Sequence, residues 1–158
     1  MPKELAAYLR LQATVAAAFN FFISGMIAAL IYHKAEVVPT DTVSIAIDLT
    51  LSCLLTFVVT APFCRASLRR DRTAGVLPAK TRTDRLLAFA FHRPVLTSLL
   101  PGFCAALLLF IPTAAIFALL SVTALPFYVY IAIKSVFASL LGAFATCSIL
   151  YAGMLKTG

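Results

Sequence analysis

The chain has 158 residues, 62% of them apolar and only 12% charged, with 13 Lys and Arg against 6 Asp and Glu for a net charge of +7. Soluble domains carry about 25% charged residues, so this composition and a mean hydropathy of +1.00 exclude a water-soluble domain, a disordered chain and a disulfide scaffold. The length excludes a large multidomain transporter. Lipid is the solvent that fits.

A hydrocarbon core of about 30 Å needs about 20 apolar residues as helix, and charged groups are expelled from it. The charges therefore mark the spans. Between Arg10 and His33 lie 22 uncharged residues, giving a first span over 11–32. This run is longer than the roughly 7 to 15 apolar residues of a cleavable signal peptide and carries Asn20 at its centre, so a retained helix is expected. A second span is expected over 43–64, where Thr40 or Asp41 can accept hydrogen bonds from its first free N–H groups. Its one acid, Asp48, falls within about a turn of the entry.

From Pro94 to Ile133 the chain runs 40 residues without a charge, and 21 more follow Lys134. A turn at Ser121 to Pro126 divides this stretch into spans over 95–120 and 127–155, both longer than a crossing requires. The surplus implies tilt, protrusion, or a re-entrant stretch around 117–133. Pro101 and Pro112 each remove a helical hydrogen bond from the third span and predict a kink there. The runs are continuously apolar rather than alternating, which argues against a β-barrel.

The expected architecture is thus an all-α membrane protein. It is a single polytopic domain (1–158), a bundle of four transmembrane helices in two hairpins joined by a basic loop over 65–94. Eleven of the thirteen Lys and Arg fall on the side of that loop and of both termini, opposed only by Lys34 and Lys134, so the positive-inside rule predicts that termini and loop are cytoplasmic. The same rule accounts for the basic pI without a nucleic-acid partner. Within the loop, residues 83–93 pattern as a short interfacial helix with Leu86, Leu87, Ala90 and Phe91 on one face. Arg82, Arg85 and Arg93, with Arg69, Arg70 and Arg72, are candidate contacts for the anionic inner leaflet or for a partner.

An ionisable group in hydrocarbon costs about 2.5 to 3.5 kcal/mol on insertion scales, so Asp48 needs a compensating environment. Ser44, Asp48, Ser52, Thr56 and Thr60 recur every fourth residue and form one helical stripe. The hydroxyls, Ser52 and Thr56 among them, read as contacts between helices, while Asp48 stands open between packing and a polar substrate path. Lys134 has two placements. It lies at a depth comparable to Asp48 and pairs with it, or it sits at the headgroups with no partner, which is the simpler arrangement. Asn20, Ser24, Gly25 and Ala28 on the first span, and Ser135, Ser139, Gly142, Thr146 and Gly153 on the fourth, form small or polar seams that read as helix packing faces.

Cys53, Cys64, Cys104 and Cys147 show no metal-binding spacing, and His33 and His92 fall on opposite sides. His33, Lys34, Glu36 and Asp41 form a short solvated turn. No catalytic or phosphate-binding motif occurs, so neither an enzyme nor a cofactor is expected. The leading expectation is a small multi-pass protein of a bacterial inner membrane that assists permeation of a small solute as a homo-oligomer. The alternatives are a non-catalytic subunit or assembly partner of a larger membrane complex, and a structural membrane protein.

Overall fold

A computed structural model of the chain describes residues 3–75 and 94–154. It is almost wholly helical, with α1 (Lys3–Ile31), α2 (Thr42–Thr73), α3 (Pro94–Leu119) and α4 (Phe127–Met154), and two three-residue strands, β1 (Val37–Pro39) and β2 (Ala124–Pro126). All four helices are long and apolar enough to cross a membrane, the mark of an integral membrane protein. At 1.5 Å per residue they run from about 39 to about 48 Å, so the surplus expected in the third and fourth spans appears as helix length. No re-entrant hairpin forms over 117–133, which holds instead the end of α3, a turn, β2 and the start of α4.

Two features differ from what the sequence suggests. Arg65 marks the edge of the apolar run but not the end of the helix, for α2 continues to Thr73 and carries Arg69, Arg70 and Arg72. Charge bars a segment from hydrocarbon, whereas arginine is a good helix former, and the chain turns only at Gly75, at a φ of 69°. The fold is also not purely α. The turns between α1 and α2 and between α3 and α4 are joined by antiparallel pairing of β1 with β2, with Val38 opposite Leu125. The Phe127 N–H donates to the Glu36 carbonyl at 3.1 Å and the Thr40 N–H to the Thr123 carbonyl at 3.0 Å. The Thr40 hydroxyl adds a bond to the Val122 carbonyl at 2.9 Å.

With Thr40 engaged in this clamp, Asp41 caps α2. Its carboxylate accepts the Ser44 N–H at 3.1 Å and the Ser44 hydroxyl at 2.6 Å, and those bonds hold its pKa below the ordinary carboxylate value. The cap is therefore intact at neutral pH and is lost only in acid. At the end of α3, Ser121 takes the left-handed conformation (φ 53°) that helix-terminating residues adopt, and the Val122 N–H closes back on the Phe117 carbonyl at 3.0 Å.

The helices pack as a row, α1 on α4, α4 on α2 and α2 on α3. The core follows one stripe of α2, through Leu49, Cys53, Phe57, Ala61, Cys64 and Leu68, against Leu141, Ala145 and Ile149 of α4 and Ala106 of α3. Small residues set the close approaches. A Cβ on Gly102 would lie 3.3 Å from the Cys53 carbonyl oxygen and the Leu54 Cα, one on Gly25 would lie 2.5 Å from Ser135 Oγ, and one on Gly142 would lie 2.7 Å from Asn20 Cγ. The α1–α4 seam is thus reciprocal, each helix presenting a glycine to a polar side chain of the other. Gly142→Ala is expected to destabilise the bundle by about 1 to 3 kcal/mol, the usual cost of overpacking. Adding Asn20→Ala should recover part of that loss, as measured by unfolding in mixed micelles followed by circular dichroism.

Candidate functional site

The strand end of the bundle brings together Asp48 and Lys134, charges carried by two of the apolar helices. Asp48 lies about 9 Å along α2 from its start and Lys134 about 10 Å along α4 from its start. Both helices run away from the strands, so the two side chains meet at one level. The Lys134 ammonium donates to Asp48 Oδ1 and, at 3.3 Å, to the Tyr130 hydroxyl. It also lies 5.6 Å from the centroid of the Tyr130 ring, within cation–π range. Tyr130 is one turn before Lys134 on the same face of α4. Its ring is held edge-on by Tyr32 at the end of α1, with centroids 5.1 Å apart. Lys134 is therefore not without a partner: the parallel helices α2 and α4 bring an acid level with it, and a buried ammonium next to a carboxylate pairs with it.

The pair borders a partly open cavity of about 190 Å³ lined by α2, α3, α4 and the strand clamp, with Ser44, Thr113, Phe117 and Phe137 among its walls. Lys134 is the more enclosed partner, its side chain 11% exposed against 31% for Asp48. Both line the cavity, and the acid is the more accessible of the two. Farther along the stripe, Ser52 is half-buried and its carbonyl accepts the buried Thr56 hydroxyl at 2.7 Å. Thr56 is thus satisfied within its own helix, as hydroxyls in apolar helices commonly are. Cys53 and Phe57, both essentially inaccessible, fill the core beside it.

A second, larger groove of about 450 Å³ lies between α1 and α2 over a floor from α4, toward the arginine end. Asn20 lines it and donates to the Ala16 carbonyl at 2.8 Å, so its amide both packs on Gly142 and stays paired. The Thr146 hydroxyl, buried on the floor, makes no hydrogen bond among the described residues. At the arginine end a polar knot ties α1 to α2. The Tyr8 hydroxyl donates to Asp71 Oδ2 at 2.7 Å, the Ser67 hydroxyl joins at 3.2 Å, and Arg70 Nε donates to Asp71 Oδ1 at 3.2 Å.

The structure does not bring the other sequence candidates into either site. Arg69 is exposed on the last turns of α2, and Arg72 lies on that helix. Arg82, Arg85, Arg93, His92 and the helix expected over 83–93 lie outside the described residues. Cys53 and Cys64 are core residues, Cys147 is half-buried and Cys104 is exposed. Among the described residues no group of three or more His, Cys, Asp or Glu could hold a metal ion. Sequence reading passed over Tyr130, Tyr32, Tyr8 and Asp71. Tyr130 was open to detection from its spacing to Lys134, whereas the contact of Tyr8 with Asp71 spans 63 residues and leaves no local signal.

No protein-family model matches the chain, and no curated protein or solved structure is significantly similar to it.

The geometry of the pair sets an order of stabilities. Asp48→Asn leaves the enclosed ammonium without its counter-ion, and its cost should approach the roughly 3 to 5 kcal/mol of a broken buried pair. The double variant Asp48→Asn with Lys134→Met should cost less than Asp48→Asn alone. Unfolding of the purified variants in mixed micelles checks that order.

Proposed function

We propose that the chain is a small polytopic protein of a bacterial inner membrane that assists permeation of a small solute as a homo-oligomer, with the Asp48–Lys134–Tyr130 cavity as the place where solute or proton engages. The observation that carries this reading is the ion pair bordering a cavity within apolar helices. Packing alone is served more cheaply by hydroxyls and small residues, whereas a charged pair in hydrocarbon is retained where it marks a path for ions, protons or solutes. Asp48 is the accessible member. Protonating it, or presenting a competing anion to Lys134, would release the salt bridge that joins α2 to α4. Because four helices enclose little volume, more than one copy completes a path.

In this reading the termini and the arginine end face the cytoplasm, as the distribution of Lys and Arg demands. A cysteine introduced as Gly75→Cys, with the four native cysteines replaced, should resist a membrane-impermeant maleimide in intact cells and react after permeabilisation. Labelling from outside would invert the topology. For permeation, proteoliposomes containing a pH-sensitive dye and exposed to a panel of small anions and amines should show protein-dependent flux that varies with pH. Asp48→Asn should remove that variation, and so should the less destabilised double variant Asp48→Asn with Lys134→Met, which serves as the folded control. Flux indifferent to Asp48 across pH would overturn the assignment.

A second reading, a non-catalytic subunit of a larger membrane complex, draws on the row-like packing. The end helices α1 and α3 leave most of their apolar surface outside the fold, Phe22, Leu30, Leu108 and Ile111 included. Native mass spectrometry after gentle solubilisation separates the two, since recovery of self-copies alone favours the first.

A further inference from the structure

We propose that the groove between α1 and α2 is a binding site for one anionic phospholipid, with an acyl chain lying along it and the phosphate at Arg70. The proposal rests on the chain being inserted in a bilayer and not on its permeation activity.

The groove changes character along its length. Val59 and Phe63 of α2 face Val15 and Phe19 of α1 across Leu150 of α4, and these give way to Gln12, Ser67 and Arg70 at the arginine end. The contact of Tyr8 with Asp71 fixes the register of the antiparallel helices, setting Gln12 level with Ser67. From Arg70 to Val59 is eleven residues of helix, about 16 Å, which matches the depth of one leaflet, half of a hydrocarbon core of about 30 Å. The volume of about 450 Å³ falls within the roughly 300 to 1,000 Å³ of sites for small organic ligands.

Charge selects the headgroup. Asp71 is the only carboxylate at this end among the described side chains, and Tyr8, Ser67 and Arg70 Nε already occupy it. The rest of the Arg70 guanidinium has no partner among the described residues, and its side chain is 78% exposed. A planar fork of N–H donors held in place through Nε suits a phosphate. Asp71 thus positions Arg70 without cancelling its reach toward a ligand, and the Gln12 amide in the groove wall can donate to the ester region.

The test uses the full-length protein, delipidated in detergent and titrated with phosphatidylglycerol or phosphatidylcholine of matched chains under native mass spectrometry. Co-flotation with vesicles of either lipid first establishes insertion. One phosphatidylglycerol per chain should bind about fivefold more tightly than phosphatidylcholine, the effect of one arginine near an anionic headgroup. Arg70→Gln should reduce that ratio to about one. Ala66→Trp, at an exposed position in the groove wall, should abolish retention of both lipids while co-flotation persists. Equal affinity for the two lipids, a preference that survives both substitutions, or a dimer whose formation displaces the lipid would each overturn the proposal.

Discussion

In hydrocarbon there is no water to complete a charge or a backbone amide, so each must find its partner within the protein. The contact of Lys134 with Asp48 is where that constraint acts most strongly in this fold. It requires α2 and α4 to lie side by side, to run in the same direction and to keep one axial register. Once that is fixed, α1 and α3 have only the outer flanks of the central pair on which to pack. The row of four helices and the two clefts on either side of it follow from this arrangement.

The remaining contacts are of a different kind. Gly25, Gly102 and Gly142 let backbones approach closely, and Ser135 and Asn20 fill the hollows they leave. Such contacts exploit dispersion in a solvent that gives helices little other reason to associate. The clefts survive because these seams are narrow. Where Tyr8 meets Asp71, α1 and α2 are joined by a polar knot, and toward the strands a groove opens between them.

The number of helices and most of their limits were legible in the sequence because charge and length are read directly against bilayer thickness. The turn near Ser121 to Pro126 was legible for the same reason. What escaped reading depends on alignment between distant segments. Nothing in Val37, Val38 and Pro39 announces a partner near Leu125, since three residues are too few for a periodic signal. The pairing of Asp48 with Lys134 could be posed but not decided, because decision required knowing that α2 and α4 are neighbours. Asn20 and Gly142 were both identified as packing residues, yet only their seating on one another shows how tightly that seam is set. The run of α2 through Arg65 to Thr73 was hidden by using charge to mark two things at once, the edge of the apolar stretch and the end of the helix.

The ladder between β1 and β2 joins the hairpins at one tip. Beyond the ladder the two hairpins interleave, with α4 lying between α1 and α2, so unzipping the strands would free the turns without parting the helices. Each turn is thus anchored twice, by its partner strand and by the helices it connects, with Asp48 and Lys134 about two turns below.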